Sequence, residues 1–396
     1  MVDGSATGGY WDDSEGREDK YKQDGVNIEA GDVFSKYCSV INKGTYGISP
    51  YIKVSDLSRG NFRGPRGFIF QNLPEGFIYT GAVDGIGTKV VPIIASGKVQ
   101  TSASNVIAMT GMDITRWGGL PLLFMNIFDV RTLGEVDSET FELCKEIMNG
   151  LAVLAHKHKY VLFTGETAEV GQCVGSEITD AKVMFNWGGV MLGAYHPEKM
   201  ILGDTLAPGQ VIIALRDDFR SNGISSLRKA LSIKYGPEWW KNPDAKADII
   251  AAASESAQYD RFLNTIHGWF NSDPLDPIIK MHLVVHLSGG AFKSKLGDDI
   301  LKPMGLSATL DNLFDPPSIM QKCAEWRDMN QEECYKTWNG GQGAIVVIDA
   351  KDVEVFCSMA KSFGVDSKLA GRITSKGERT VYILSKFSKE QYWIEY

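Results

Sequence analysis

Short apolar runs alternate with helical patterns along residues 65–200, and this alternation limits the choice of fold. The runs GFIFQNL, GFIYTGAVDG, PLLFMNIFDV and YVLFTGETAEVG have the length and composition of strands. Between them lies SASNVIAMTGMDITRWGG, a helical pattern crowded with small residues. The clearest helix is SETFELCKEIMNGLAVLAHKH, whose apolar residues fall on one face. Interleaved strands and helices predict an α/β or α+β fold.

A break in the pattern predicts a domain boundary near residue 204. The stretch HPEKMILGDTLAPGQ holds two prolines and two glycines between apolar strands. We therefore expect an N-terminal domain over 21–204 and a C-terminal domain over 205–396. The segment 235–280 fits no simple strand and helix unit and is a possible insertion. We expect its Trp239 and Trp240 to pack against the protein rather than stack on a ligand.

Composition excludes several classes of protein. The net charge is -8, which argues weakly against a general nucleic-acid binder, since such proteins need a basic face. No apolar run approaches the roughly 18 residues that span a bilayer, so we expect no membrane partner. Residues 1–20 are polar and acidic and lack the apolar core of a secretory signal. They predict a disordered lead-in to a cytoplasmic protein.

The six cysteines are scattered along the chain without a C-x-x-C pair. We therefore expect buried free thiols rather than disulfides or a structural zinc site.

The stretch VDGIGTK brings an acid, two glycines, a hydroxyl and an ammonium into a short turn. The residues are Asp84, Gly85, Gly87, Thr88 and Lys89. The stretch is neither a P-loop nor a dinucleotide fingerprint. An acid suits Mg²⁺, a lysine suits phosphate, and glycines let backbone N–H groups approach an anion. An ordinary strand end with solvated charges remains the alternative on spacing alone.

Two further stretches of the sequence contain acidic residues that could hold a metal ion. In TGETAEVG, Glu166 and Glu169 flank Thr167 just past a predicted strand. Paired carboxylates there suit a metal, although a solvated loop has the same composition. Asp113 lies inside an otherwise apolar helix, where a buried acid needs a partner. A helix cap is the simpler interpretation of Asp113.

The second half contains two turns that could bind an anion. In FRSNGISSLRKAL, Ser221, Asn222 and Gly223 open a helix, and the N-terminus of a helix attracts anions. The guanidinium of Arg220 has the forked N–H groups that bind phosphate. Plain helix capping is the alternative. In HLSGGAF a histidine leads into a glycine turn, and a lone histidine is usually structural. The residues of this second turn are His286, Gly289 and Gly290.

The order of these blocks resembles one family. The series is YKQDGVNIEAGD, DGIGTK, MDI followed by GGLP, TGETAE, RSNGISSLRK, HLSGGAF and YKTWNGGQG. In this order and at these spacings, over roughly residues 21–385, it resembles the aminoimidazole ribonucleotide synthetases, also called phosphoribosylformylglycinamidine cyclo-ligases.

The resemblance implies a fold and a reaction. The family fold has two α/β domains, and the N-terminal sheet pairs across a homodimer into a barrel with ATP bound nearby. The family closes the imidazole ring of purine biosynthesis. Formylglycinamidine ribonucleotide and ATP give aminoimidazole ribonucleotide, ADP and phosphate, through an iminophosphate. Most of such an enzyme's work is to position substrates and to neutralise phosphate charge.

The resemblance also implies roles for residues. Asp84, Asp113 and Glu166 resemble the acids that hold Mg²⁺ with ATP, and Lys89 resembles a phosphate contact. The resemblance implies a further set at the ATP site, comprising Gly85, Gly87, Thr88, Thr167 and Glu169. It implies a substrate set comprising Arg220, Ser221, Asn222, Gly223, Gly289 and Gly290. It implies a catalytic set comprising Lys89, Asp113, Arg220 and His286. Residues 60–68 match a mobile loop that closes over ATP.

The chain departs from the family pattern at four places. Arg220 stands where the family has a histidine, and an arginine cannot act as an acid or base near pH 7. Asn105 stands where an aspartate is common. The loop RGPRGF has fewer glycines than usual, and the family's threonine-proline substrate loop is hard to find within 235–280. These departures leave open a diverged ATPase or kinase with another acceptor, and a non-catalytic nucleotide-binding scaffold.

Overall fold

Three β-sheets form the framework of the part of the chain that the structure describes. The computed structural model describes residues 20–58, 64–272, 276–288 and 290–396, without the side chains of residues 20 and 21. The predicted disordered lead-in lies outside these ranges except for residue 20. The predicted ATP-covering loop 60–68 lies partly outside them, because residues 60–63 are not described.

The strands fall into sheets of two, four and seven strands. The two-stranded sheet pairs β1 with β2, the four-stranded sheet has the order β3-β6-β4-β5, and the seven-stranded sheet has the order β13-β12-β9-β11-β7-β10-β8. The strands are β1 (Ile52–Asp56), β2 (Arg66–Phe70), β3 (Ile78–Gly85), β4 (Leu120–Val130), β5 (Val161–Glu169), β6 (Phe185–Tyr195), β7 (Val211–Arg216), β8 (Met281–His286), β9 (Leu306–Leu310), β10 (Gln342–Ile348), β11 (Ser367–Ser375), β12 (Val381–Leu384) and β13 (Trp393–Glu395).

Helices cover the sheets. The α-helices are α1 (Lys20–Gln23), α2 (Ile28–Thr45), α3 (Val90–Ser96), α4 (Ser102–Thr115), α5 (Glu139–His158), α6 (Ile224–Tyr235), α7 (Lys246–Ala252), α8 (Asp260–Ile266), α9 (Lys302–Met304), α10 (Ser318–Trp326), α11 (Gln331–Thr337) and α12 (Val353–Ser362). A π-helix, Phe292–Leu301, runs directly into α9. The described part of the chain is thus a mixed α/β fold, as predicted. Among the described helices, none is long and apolar enough to cross a membrane.

One face of the four-stranded sheet packs on helices and the other is exposed. The face that carries Phe124 and Phe128 is buried against α2, α4 and α5. Gly189 in β6 is part of this close packing, because an added Cβ would lie 2.3 Å from the Phe124 ring. The opposite face carries Val83 and Ile127, which are 76% and 56% exposed. Within one chain, in the described residues, β3 and β5 are free edges and the sheet does not close into a barrel.

The helix α4 lies at the centre of the first half and is buried nearly all round. Every residue of α4 is buried except Asp113. Its small residues permit this, since Gly111 leaves no room for a Cβ beside the carboxylate of Asp260, 2.3 Å away. The predicted apolar face of α5 is also confirmed. Its buried residues include Cys144, Ile147, Met148, Leu151 and Ala155.

The seven-stranded sheet forms the core of the second half. Strand β10 and the edge strand β8 are buried at every position, because their alternate residues belong to apolar clusters on the two faces of the sheet. All its pairs are antiparallel except β12 with β9. Residue 204 lies in the connection between β6 and β7. The division into two domains at this point stays a prediction.

The segment 235–280 is helical rather than a strand and helix unit. It contains α7 and α8 and two short 3₁₀ turns. Trp239 is buried and packs edge-on against Trp240, with ring centroids 5.7 Å apart. Trp240 donates a hydrogen bond to Asp180 at 3.0 Å. Both tryptophans therefore pack against the protein, as predicted.

The six cysteines are free. Cys144, Cys323 and Cys334 are buried, as predicted for structural thiols, whereas Cys173 is exposed. Cys38 and Cys357 are only partly buried. The prediction of buried thiols is wrong for Cys173, which lies in the turn after β5 rather than in the core.

Candidate functional site

Asp84 lies at the end of β3, where the strand leaves the four-stranded sheet. Its carboxylate accepts a hydrogen bond from the backbone N–H of Gly85 at 2.7 Å. Gly87 follows with a φ of 60°, a conformation that glycine adopts without strain. Burial raises the pKa of Asp84, and the negative charge of Asp113 acts in the same direction. The two acids are therefore close enough to interact.

Asp113 is the one residue of α4 that reaches the surface of the site, with its side chain 38% exposed. Its Oδ1 lies 3.4 Å from Nδ1 of His286 and 3.7 Å from Nε of Arg116. Burial alone would raise the pKa of Asp113. The hydrogen bond from His286 and the nearby Arg116 and Lys295 outweigh that effect and lower the pKa. Asp113 is thus held as a carboxylate.

The contacts of His286 fix its tautomer. His286 is buried at the end of β8, and its Nε2 lies 3.1 Å from Nη1 of Arg220. A guanidinium can only donate, so Nε2 must accept, and the ring proton sits on Nδ1, facing Asp113. Burial lowers the pKa of His286 to about 4. The ring is therefore neutral near pH 7, and its one lone pair is occupied.

Arg220 is enclosed in the protein behind His286. Its side chain is 1% exposed and forms an ion pair with Asp217, with 2.6 Å between Nε and Oδ2. Nη2 also donates to the carbonyl of Ala257 at 3.2 Å, and the guanidinium lies over the Tyr259 ring. A substrate could reach Arg220 only after these contacts opened.

Lys89 is also buried, and its contacts differ from those that the family resemblance implies. Its side chain is fully enclosed, and Nζ donates to the backbone carbonyl of Phe219 in the second half of the chain. Burial lowers the pKa of Lys89 to about 7, although the charge of Asp217 opposes the shift. In this structure the ammonium joins the two halves and does not face open space.

Glu166 lies on the opposite face of the sheet from Asp84. Asp84 pairs with Gly189 of β6, which pairs in turn with Asn126 of β4. Glu166 pairs directly with Ile127, the next residue of β4, which is exposed. Because Asn126 and Ile127 are adjacent in β4, their side chains and those of their partners point to opposite faces of the sheet. The predicted loop at this position is wrong, because β5 continues in pairing with β4 as far as Glu169.

Glu169 has a local structural role. Its carboxylate accepts hydrogen bonds from the backbone N–H groups of Asn27 and Leu133, each at 2.7 Å. Asn27 is the N-cap of α2, so Glu169 fixes the start of that helix. Thr167, two residues earlier, pairs with Phe128 of β4, and both side chains lie on the helix-covered face of the sheet.

The predicted substrate turn precedes α6. Gly223 has a φ of 74°, and an added Cβ would lie 2.5 Å from the carbonyl of Thr337. Oγ of Ser221 and Oδ1 of Asn222 are buried without a hydrogen-bond partner in the described part of the protein. Such atoms are costly unless something bonds to them, so a ligand at this turn would be favoured.

Only half of the second glycine turn is described. Gly290 has a φ of 72° and begins the approach to the π-helix, whereas Gly289 lies outside the described residues.

Sequence reasoning missed Lys295 and Arg116. Lys295 lies in the π-helix, and its Nζ donates to Oγ of Ser288 at 2.7 Å and to the carbonyl of His286 at 3.4 Å. Its charge acts on Asp84, Asp113 and His286. The basic residues that follow the glycine turn in HLSGGAFKSK were the signal that could have indicated it.

Comparison with known proteins gives one family model and many relatives. Residues 72–185 match the model described as AIR synthase related protein, N-terminal domain. The phosphoribosylformylglycinamidine cyclo-ligase of Staphylococcus carnosus is 26% identical over 377 residues, covering 92% of this chain and 98% of the relative. The enzyme of the same name from Myxococcus xanthus is 25% identical over 378 residues, covering 92% and 98%.

Solved structures share the fold at low identity. Escherichia coli HypE, a hydrogenase maturation protein, superposes with a TM-score of 0.53 at 12% identity, covering 90% of this chain and 95% of that chain. HypE in complex with ATP gives a TM-score of 0.51 at 12% identity, covering 79% and 83%. These likenesses concern the fold alone. With the matched family model, they confirm that the chain has an AIR synthase-like fold. The relatives named above confirm that the chain resembles the phosphoribosylformylglycinamidine cyclo-ligase family over 92% of its length.

Proposed function

We propose that this protein is an ATP-dependent ligase that closes the imidazole ring of purine biosynthesis. It would convert formylglycinamidine ribonucleotide and ATP to aminoimidazole ribonucleotide, ADP and phosphate. Relatives that carry the cyclo-ligase name align over 98% of their own length. The structural observation that carries the proposal is the pair of interacting acids, Asp84 and Asp113, with Asp113 3.4 Å from His286 at the end of β8.

The acid pair fits Mg²⁺ with ATP. The hydrogen bond that the structure records on the Asp84 carboxylate comes from its neighbour Gly85. Asp113 is ionised and partly exposed. Two carboxylates that repel each other are stabilised by a divalent cation, and carboxylate oxygens are the ligands Mg²⁺ prefers. When bound, Mg²⁺ would neutralise charge on the phosphates. Glu166 cannot join this pair within one chain, since it faces the other side of the sheet. Among the described residues, no three acids, histidines or cysteines form a complete metal cluster.

The remaining site residues would position the reaction. Ser221 and Asn222 offer unpaired polar atoms to the nucleotide substrate at the start of α6. His286 would orient the Asp113 carboxylate through its Nδ1–H rather than act as a base, because Arg220 occupies its lone pair. Arg220 would in turn position His286. Ring closure itself needs little more than proximity once the amide oxygen is phosphorylated.

We also propose that the protein is a cytoplasmic homodimer that pairs through the exposed face of the four-stranded sheet. Val83, Ile127 and Tyr79 are all more than half exposed there. An apolar sheet face of this kind is typical of an interface, and two copies could close it into the barrel that the family resemblance implies. Light scattering of the purified protein should give the mass of two chains, and a single-chain mass at micromolar concentration would contradict the pairing.

The test is product formation by the purified protein. We expect ADP release that depends on formylglycinamidine ribonucleotide and matches the aminoimidazole product one to one. Asp84→Asn should abolish turnover with the fold intact, because one ligand charge for Mg²⁺ is lost. Asp244→Asn, an exposed acid far along the chain, is the matched control. ADP release without the imidazole product would instead indicate a diverged kinase or ATPase.

A further inference from the structure

Lys295 has a fixed position and a spare hydrogen-bond donor. Its ammonium has three N–H groups, and the two recorded acceptors are Oγ of Ser288 and the carbonyl of His286. Both acceptors are neutral. Within the described residues, no carboxylate oxygen lies within the 4 Å of an ion pair with Nζ. The charge of Lys295 is therefore held in place without a direct partner of opposite sign.

A second cation lies beside Lys295. Arg116 follows α4, its guanidinium rests on the Trp117 ring at 4.2 Å, and its Nε is 3.7 Å from Oδ1 of Asp113, longer than a hydrogen bond. Nε of Arg116 is buried without a hydrogen-bond partner in the described part of the protein. Burial lowers the pKa of Lys295, and the charge of Arg116 is the next largest cause. Lys295 contacts the carbonyl of His286, and Arg116 lies beside the Asp113 carboxylate that the His286 ring faces, so both cations border the same pair of residues. An anion that binds between them would stabilise both charges.

Lys295 and Arg116 lie next to the two acids, as cations that bind phosphate oxygens would beside a metal site. Lys295 interacts with the charges of both Asp84 and Asp113. Cations next to a carboxylate pair can hold phosphate oxygens while the carboxylates hold the metal ion. Lys89 does not offer this arrangement, because its ammonium is enclosed and bonded to Phe219.

We infer that Lys295, with Arg116 beside it, is the cation of this site that binds the phosphate oxygens of a nucleotide, in place of Lys89. The inference rests on the proposed function and specifies it further. The phosphate has two possible sources, the triphosphate of ATP and the 5′-monophosphate of the ribonucleotide substrate. A phosphate bound at Lys295 would accept its spare N–H and bring a charge-assisted hydrogen bond.

The experiment compares Lys295→Gln with Lys295→Arg and with Lys293→Gln. Lys293 is exposed on the same π-helix, so its substitution is the matched control. Titration calorimetry would measure binding of the non-hydrolysable analogue AMPPCP with Mg²⁺, and separately binding of formylglycinamidine ribonucleotide. We expect Lys295→Gln to weaken one of them about 10- to 100-fold, the loss that a hydrogen bond to a charged group carries. Lys295→Arg should recover most of the affinity, and Lys293→Gln should match the wild type.

Each outcome is decisive. Weaker binding of AMPPCP alone assigns Lys295 to the triphosphate, and weaker binding of the ribonucleotide alone assigns it to the monophosphate. Equal affinities for wild type and Lys295→Gln in both titrations overturn the inference, even if the wild type makes product. If the wild type binds both ligands but makes no imidazole, the proposed function fails while the binding comparison still decides the role of Lys295. Failure of the wild type to bind either ligand overturns both.

Discussion

Replacing Arg220 with methionine should destabilise the protein by about 3 kcal/mol. The change leaves Asp217 as a buried charge without its closest partner, and breaking a buried ion pair in this way costs about 3–5 kcal/mol. Both side chains of the pair are 1% exposed, so water cannot replace the lost contact. We expect the lower end of the range because the charge of Lys89 also acts on Asp217. The loss should appear as a lower urea midpoint with an unchanged slope.

A double-mutant cycle separates the ion pair from other effects of the substitution. Asp217→Asn keeps an oxygen that accepts the backbone N–H groups of Asp218 and Ala257. The substitution therefore removes the charge and preserves these two hydrogen bonds. The two single variants should together lose about 2 kcal/mol more than the double variant, since the double leaves no buried unpaired charge. Arg372→Met is the matched control, because its pair with Asp311 is exposed and 3.6 Å long. A loss below about 1 kcal/mol for Arg220→Met, or additive losses in the cycle, would refute the reasoning.

Two further predictions concern backbone and pH. Gly223→Ala should cost about 2–4 kcal/mol, from a left-handed φ and the overlap with the Thr337 carbonyl. Gly364→Ala, with a φ of 72° and open space around it, should cost only about 1 kcal/mol in the same urea titration, and equal losses would contradict the overlap. Burial lowers the pKa of His267 to about 4. The unfolded chain binds a proton near pH 6.5 and the folded one does not, so stability should fall by up to about 3 kcal/mol as the pH drops from 6.5 to 4. His267→Asn should flatten this part of the curve, and an unchanged slope would exclude His267 as the cause.

The sequence predicted much of the fold because its periodic patterns are strong. The apolar face of α5, the strand β3 that contains Asp84 and the strand β8 that ends at His286 could be found from spacing alone. These features depend on local periodicity, which a single sequence contains.

The directions of two side chains could not be predicted from the sequence. The pairing of β5 with β4 contains a register shift at Phe163 of β5, so that Leu162 and Thr164 pair with the adjacent residues Phe124 and Met125 of β4. Without the shift, Glu166 would share the face of Leu162, which packs in the core. The shift turns Glu166 to the exposed face instead. Such irregularities arise from packing between strands, and no local pattern in TGETAE indicates one.

Lys89 shows the same limit. The sequence places it in a turn after Asp84, where a solvated ammonium is the ordinary expectation. Its actual partner, the carbonyl of Phe219, lies 130 residues away in the second half of the chain. Only the packing of the two halves decides whether such a side chain faces solvent or the neighbouring backbone. The same packing brings Lys295, in the π-helix, close to Asp84 and Asp113.

The geometry around Arg220 bears on the choice between a cyclo-ligase and a diverged kinase. The departure from the family histidine was the main argument for a changed substrate half. In this structure Arg220 is enclosed, and its contacts reach the site only through His286, whose Nδ1–H faces Asp113. A substitution at such a position changes the support of Asp113, the carboxylate that we propose holds Mg²⁺, rather than a group that contacts substrate. The departure is therefore compatible with an unchanged reaction. Substrate specificity would then depend on Ser221 and Asn222, whose buried polar atoms have no hydrogen-bond partner in the described part of the protein and can bind a ligand.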